Sequence, residues 1–336
     1  MTGAWHRASS TDNHEAIMTT LLVTGGSGFI GSNFIRYFID SHPDVDVVNL
    51  DKLTYAGNPD NLRDIEDHSR YSFIRGDICD PAVVRTAMKK ADQVVHFAAE
   101  SHVDRSIRDG SVFVRTNVLG THTLLQAAHD RGIKKFVHVS TDEVYGSVRK
   151  GSFRERDILS PSSPYSASKA GSDLLALSYC RTHGLPVVVT RCTNNYGPYQ
   201  FPEKLIPLFI TNLMEGKKVP LYGNGKNVRD WIYVLDHCRA IDFLLESGEP
   251  GEAYNIGGGV EKTNTQITGM LLKLLGSGKD MIEHVADRPG HDQRYSLDCT
   301  KLRNMGWRPE YDFGQALWQT VQWYVANRWW WEKLKQ

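Results

Sequence analysis

The sequence predicts an α/β fold: a doubly wound parallel sheet with a smaller, mixed α/β lobe. Three observations carry this. Short β-rich runs alternate with amphipathic stretches over residues 19–193, as in a parallel sheet covered by helices on both faces. Several of these runs are continuously apolar, as strands buried on both faces must be. After about Asn194 the texture changes, and Pro and Gly interrupt the alternation.

The elements follow in order. Residues 21–24 are an apolar strand, broken by Gly25-Gly-Ser-Gly28-Phe-Ile-Gly31, which opens a helix over 31–40. A second strand, 45–50, ends at Asp51, and a third, 71–75, ends just before Asp77-Ile78. A helix over 82–89 leads to the strand 93–97, and one over 117–131 leads to the strand 135–139. Ser140-Thr-Asp-Glu143 follows at that strand's end, and a sixth strand spans 186–191. Further on, 234–245 reads as a helix and 253–256 as one more strand, both returning to the sheet. Residues 194–233 and 259–336, including Tyr222-Gly-Asn-Gly225 and a Trp-rich tail, are assigned to the lobe. Residues 1–18 are polar, without the apolar core of a secretory signal. They read as a disordered extension, with Met18 as a candidate native start.

Composition excludes several classes. The 39 Lys and Arg equal the 39 Asp and Glu, so no basic field points to nucleic acid or to an anionic membrane. No apolar run approaches the roughly 18 residues of a membrane span. Five scattered cysteines form no CxxC pair and read as free thiols in a reducing cytoplasm. No metal site is expected.

Gly25, Gly28 and Gly31 sit between a strand and a helix. Glycines there permit a tight turn and close approach of backbone to a pyrophosphate, whose charge the helix N-terminus favours. The spacing is GxxGxxG rather than GxGxxG, and a turn that merely packs tightly looks similar. Context favours a dinucleotide, because Asp51 ends the second strand near the offset of a ribose-binding acid. A carboxylate there accepts from both ribose hydroxyls and repels a 2′-phosphate, so the expected cofactor is NAD rather than NADP. Residues 19–193, with return segments near 234–258, thus read as a Rossmann-type NAD-binding domain. Asp77 and Ile78 lie where an adenine can sit, and Asp77 equally suits a helix cap.

Tyr165 and Lys169 share one helical face at i,i+4. An ammonium beside a phenol favours the phenolate and lowers its pKa, so Tyr165 can take a proton from a sugar hydroxyl while hydride leaves for the nicotinamide. Thr141, Asp142 and Glu143 fall at a strand end, where open α/β sheets bind ligands. Two carboxylates can divide acid and base work if their environments split their pKa values. Taken alone, the same pair reads as a turn cap and a solvated acid.

The glycine turn, Phe97-Ala-Ala-Glu-Ser101, Ser140-Thr141 and the YxxxK pair resemble the extended short-chain dehydrogenase/reductase family. A finer set of motifs is similar to the dTDP-glucose 4,6-dehydratases within it. These are His102-Val-Asp-Arg-Ser-Ile107, Ser140-Thr-Asp-Glu-Val-Tyr-Gly146, Asn194-Asn-Tyr-Gly-Pro198, Lys204-Leu-Ile-Pro207, Arg229-Asp-Trp231 and Asp287-Arg-Pro-Gly-His-Asp292. The likeness runs from about Thr20 to the C-terminal region. Related decarboxylases carry Ser-Glu where this chain has Asp142-Glu143, and epimerases, which work only at C4, need no acid–base pair there.

The resemblance implies an NAD-dependent lyase acting on dTDP-glucose. Tyr165, with Thr141 bonded to the same hydroxyl, deprotonates C4–OH, and hydride leaves C4 for the nicotinamide. Glu143 removes the C5 proton, Asp142 protonates the departing C6 oxygen, and hydride returns to C6. The resemblance adds Phe29, Ile30, Lys52, Thr54, Phe97, Ala98, Ala99, Ser101, Thr116 and Asn195 to the cofactor site, beside Tyr165 and Lys169. To the substrate it assigns Ser101, Thr141, Asn194, Lys204, Leu205, Asn264, Asp287, His291 and Tyr295. Arg229 suits the diphosphate as a charge-assisted fork, and Pro220 and Tyr222 either touch substrate or simply pack. It also implies a homodimer through helices around 109–131 and 165–182. A 4-epimerase or decarboxylase, or a catalytically silent NAD-binding protein, is the alternative; the Tyr165–Lys169 pair argues against the last.

Overall fold

The computed structural model describes residues 19–287 and 291–335; the extension expected over 1–18 and the Arg-Pro-Gly stretch 288–290 lie outside them. Strands form on the apolar runs: β1 (Thr19–Thr24), β2 (Val45–Asp51), β3 (Tyr71–Arg75), β4 (Gln93–His96), β5 (Lys135–Thr141) and β6 (Val187–Cys192). Later segments add β7 (Asn194–Tyr196), β8 (Val219–Tyr222), β9 (Val228–Tyr233), β10 (Ala253–Ile256), β11 (Glu261–Thr263) and β12 (Ile282–Val285). Seven strands pair in the order β10-β6-β5-β4-β1-β2-β3, all parallel. This is the doubly wound, Rossmann-type sheet, and its order reverses between β1 and β4. The smaller lobe has a mixed sheet, β11-β9-β7, and a parallel pair, β12-β8.

Alternation along the strands divides the core. Leu21, Val23, Val137 and Val188 face one side, where the helices Phe29–Ser41 and Val234–Ser247 pack. Leu22, Phe136, Val187 and Val189 face the other, against Pro81–Met88, Thr121–Arg131 and Pro164–His183. Each such burial contributes about 1.5–3 kcal/mol, and a slip of one residue would turn a whole set outward. The two edges differ. On β3, Phe73 is 42% exposed. All of β10 is buried, with the helix Thr300–Asn304 against it and Lys301 Nζ on the Ala253 carbonyl at 2.7 Å.

A buried polar knot fixes the helix Pro164–His183 against the sheet. Arg191 of β6 meets Asp173 at 2.9 Å, and His138 of β5 lies 3.4 Å from the same carboxyl. Arg191 also donates to the Tyr145 hydroxyl at 2.7 Å. Burial opposes ionisation of Asp173, yet its bond to His138 and the Arg191 charge hold its carboxyl below the usual range.

Three features depart from the sequence reading. β5 runs two residues beyond 135–139, because Ser140 and Thr141 still pair with Arg191 and Cys192 of β6. The helix expected over 117–131 is α-helical only from Thr121; Val114–Gly120 is a π-helix, a form concentrated at functional sites. Within it, buried Asn117 clamps Glu100, accepting from its N–H at 2.9 Å and donating to its carbonyl at 3.0 Å. The Trp-rich tail does not stay in the lobe: Trp330 Nε1 donates to Asn61 at 2.8 Å, and Lys333 pairs with Asp60. No helix among the described residues is long and apolar enough to cross a membrane.

Candidate active site

A cleft of about 330 Å³ opens across the strand ends at the reversal of the sheet order, and every residue assigned above to the cofactor lines it. Its floor is the glycine turn. Gly25 has φ +73°, and a Cβ there would stand 2.5 Å from the Ala98 nitrogen; at Gly31 it would stand 2.4 Å from the Gly25 carbonyl oxygen. The turn closes against β4 only without side chains. Gly28 begins the helix Phe29–Ser41 with no side-chain cap, so the first N–H groups are open to an anion. Asp51 is pinned beside them, accepting from Ser27 N–H at 2.9 Å and Leu53 N–H at 2.8 Å. Burial raises its pKa, and the two backbone bonds offset part of the rise. These features fit a dinucleotide with a free ribose diol.

The two readings of Asp77 now separate. The cap of the helix Pro81–Met88 is Asp80. Asp77 instead lines the cleft, 2.8 Å from Lys52 Nζ. Partial burial opposes its ionisation, but Lys52 and the Cys79 N–H hold its carboxyl below the usual range.

The extra length of β5 carries the acids into the cleft. Thr141 caps the short 3₁₀ turn Asp142–Tyr145, accepting from Glu143 N–H at 3.3 Å. The cap is therefore Thr141, not Asp142. Asp142 is 3% exposed; Oδ1 accepts from the Thr141 hydroxyl at 3.2 Å, and Oδ2 has no hydrogen-bond partner among the described residues. Burial, reinforced by the neighbouring Glu143 charge, pushes its pKa well above the carboxylate range. The surroundings of Asp142 thus favour its neutral, proton-bearing form. Glu143 is only half-buried.

Tyr165 and Lys169 enter from the helix Pro164–His183. Ser163 forms a capping box with Ser166, and Pro164 occupies the first turn, so the helix starts immediately before Tyr165. Both side chains are buried and line the cleft. The expected lowering of the phenol pKa is not found. Burial pushes Tyr165 well above its ordinary value, Glu143 adds to the rise, and the bond to Thr141 opposes it. Lys169 is itself pushed down by burial, to about 8, and its Nζ donates to the Val139 carbonyl at 2.7 Å. Desolvation dominates at both residues, and each shift favours the neutral form.

The sequence profile of the GDP-mannose 4,6 dehydratase family matches residues 22–320. The chain belongs to this family. The dTDP-glucose 4,6-dehydratase of Streptomyces antibioticus is 56% identical over 322 residues, covering 94% of this chain and 95% of the relative. The dTDP-glucose 4,6-dehydratase DesIV of Streptomyces venezuelae, solved with NAD and dTDP bound, matches with a TM-score of 0.92 at 56% identity, over 94% of this chain and 100% of that one. A UDP-glucose 4-epimerase of Thermus thermophilus, solved with NAD, matches with a TM-score of 0.86 at 31% identity, over 92% and 100%. The fold is therefore shared by dehydratases and epimerases, and residues must separate them.

In this member of the GDP-mannose 4,6 dehydratase family, the residues expected at the substrate divide in two. Ser101, Thr141, Asn194 and Lys204 line the cleft; Leu205, Pro220, Tyr222, Arg229, Asn264, Asp287, His291 and Tyr295 do not. Leu205 packs on the core, Pro220 sits in β8 beside β12, and Asn264 begins the helix Asn264–Leu274. The rest bind one another in the lobe. Arg229 lies over the Tyr295 ring at 4.3 Å and donates to the Asp292 carbonyl at 3.0 Å. Asp287 meets His291 at 2.6 Å, and Tyr222 meets the His291 ring edge-on at 6.3 Å. Arg229 still acts on the acid pair, since its charge lowers the Asp142 pKa against burial.

The sequence reading missed the rim of the cleft. Tyr55 meets Phe201 edge-on at 5.6 Å and lies under the Arg105 guanidinium at 3.7 Å. Glu203 stands 3.5 Å from Arg105 and 3.4 Å from His102. His102 and Arg105 belong to a motif noted above, but no local spacing announces a partner 98 residues away.

Gly25→Ala is expected to abolish dinucleotide binding and to lower stability, because the added Cβ meets the Ala98 backbone at a left-handed φ. NAD titration by calorimetry, with circular dichroism for the fold, checks this; unchanged NAD affinity would show that the close approach to Ala98 is not required.

Proposed function

We propose that the protein is an NAD-dependent dTDP-glucose 4,6-dehydratase, forming dTDP-4-keto-6-deoxyglucose. One observation carries this reading: a buried carboxyl, Asp142, and its half-buried neighbour Glu143 line the same cleft as the glycine turn and Tyr165. Oxidation and reduction at C4 alone call for no such pair. The dehydratases at 56% identity support the same substrate.

The residues divide the work. Thr141 holds the Tyr165 phenol, which takes the C4 hydroxyl proton. NAD, held by the glycine turn, Asp51 and Lys169, supplies when bound a cationic acceptor for the C4 hydride and its return to C6. Glu143 removes the C5 proton that the C4 ketone acidifies. Asp142 gives its proton to the C6 oxygen, water departs, and C5 is reprotonated as C6 is reduced. Lys204, which lines the cleft, supplies positive charge for a diphosphate. On this reading residues 19–193 hold the cofactor and the lobe holds the nucleotide sugar. The five free cysteines suit a reducing cytoplasm, where we place the protein.

A homodimer completes the proposal. Val112, Val114, Leu119 and Leu174 are 44–61% exposed, and Val118 and Leu175 line the same apolar depression as Val114 and Leu119. Large contiguous apolar surface of this kind is normally covered, and a two-fold copy covers it with an identical face.

Incubated with dTDP-glucose, the protein should give a product lighter by one water. Deuterium placed at C4 should appear at C6, and reaction in D₂O should label C5. Deuterium kept at C4 with mass unchanged would identify an epimerase, and no label movement a silent NAD-binding protein.

Asp142→Asn should slow elimination by roughly 10²–10⁴-fold while C4 oxidation survives, so that NADH absorbance accumulates. Tyr165→Phe should suppress oxidation itself. Because burial raises the Asp142 pKa, the acid form persists above the usual carboxylate range, and elimination should fall as pH rises through that raised value. Near-normal dehydration by the Asn variant would remove Asp142 from the acid role.

Light scattering at micromolar concentration should report twice the chain mass, and Leu119→Glu with Leu174→Glu should shift it to the monomer. A wild-type monomer would rule out the dimer.

A further inference from the structure

The C-terminal tail reaches the cofactor turn through an unbroken chain of buried hydrogen bonds. Trp330 is 1% exposed, and its Nε1–H donates to Asn61 Oδ1 at 2.8 Å. Asn61, also 1% exposed, donates through Nδ2 to the Ser27 carbonyl at 2.9 Å. Ser27 N–H in turn donates to Asp51 Oδ2 at 2.9 Å. The indole can only donate, so Asn61 must present its oxygen to Trp330 and its NH₂ to Ser27. The orientation of one amide therefore ties residue 330 to the residue that holds the ribose-reading carboxylate.

The same tail grips the opposite wall. The Tyr324 hydroxyl donates to the Gln200 carbonyl, and Gln200 donates to the Asn195 carbonyl at 2.9 Å. Gln200 and Asn195 both line the cleft. Tyr199, with φ +65° in the left-handed region, is held there between Trp323 at 4.5 Å and Trp330 at 5.7 Å. No part of Trp323, Tyr324 or Trp330 lines the cleft itself.

We propose that the tail is a cofactor-retention clasp, in which Trp330 acts through Asn61 as a positioning residue for the Ser27–Asp51 contact and sets how long NAD stays bound. The proposal rests on the reading of the cleft as an NAD site. A reaction that returns its cofactor oxidised gains from slow release, and a brace anchored outside the cleft supplies it without crowding the substrate.

The test is exchange of bound NAD in the holoenzyme for isotopically labelled NAD, followed by mass spectrometry. Trp330→Phe keeps an aromatic ring but removes the donor together with part of the indole, leaving a buried acceptor unsatisfied beside a small cavity, so exchange should quicken on the order of tenfold. Asn61→Ala should do the same from the other end, and the double variant should be no faster than the quicker single variant. Calorimetric affinity for dTDP, and kcat at saturating NAD and dTDP-glucose, should stay within about twofold in each. Should Trp330→Phe fail to fold, Asn61→Ala alone decides. Unchanged exchange in the folded variants would overturn the proposal, as would a dTDP affinity that falls in step with NAD retention, the mark of general loosening. A wild-type protein that holds no NAD would instead sink the reading of the cleft, and the clasp with it.

Discussion

The ladder between β5 and β6 continues for two residues after the apolar run of β5 has ended, and the chemistry of the site depends on that continuation. Ser140 and Thr141 are polar, yet they keep strand geometry because Arg191 and Cys192 pair with them. Arg191 in turn is held by Asp173 and Tyr145. The strand therefore delivers Asp142 beneath the protein surface, whereas a strand ending at Val139 would have released it into a solvated loop. The knot that extends the ladder also fixes the helix bearing Tyr165 and Lys169, so Asp142, Tyr165 and Lys169 share one anchor.

Once these groups are inside, desolvation governs them. It raises Asp142, raises Tyr165 and lowers Lys169, and each shift favours the neutral form. Burial costs a lone charge far more than a neighbouring dipole returns. The resting cleft thus disfavours charge on all three, and Glu143 beside them is only half-buried. Two adjacent carboxyls acquire different characters because one faces the interior and the other the opening.

Much of this was legible from sequence, for physical reasons. Continuous apolar runs mark buried parallel strands, and β3 and β10 fall on the expected residues because both are bounded by turn residues and charges. The i,i+4 spacing of Tyr165 and Lys169 and the three glycines announce themselves because helix and turn geometry are local. Features that depend on distant partners were not legible. The ladder beyond Val139 depends on Arg191, the π-helix at Val114–Gly120 accompanies the clamp of Asn117 on Glu100, and the rim depends on Glu203 reaching Arg105. The Asp77 ambiguity dissolved only because Asp80, next to Pro81, proved to be the cap. Arg229 and Tyr295 were legible as residues, but their engagement with each other was not. The effect of Lys169 on Tyr165 was misjudged because spacing specifies neighbours and not dielectric.

The unequal edges of the main sheet carry a consequence for self-association. At β10 the helix Thr300–Asn304 packs and Lys301 donates to the Ala253 carbonyl, whereas β3 ends the ladder on the other side with Phe73 42% exposed. A sheet open at both margins can add copies indefinitely and grow into a fibre. With one margin sealed, β3 can meet a single β3 from another copy, and that encounter leaves neither molecule with an edge to offer. Edge-to-edge pairing of the main sheet through β3 would thereby close on itself rather than propagate.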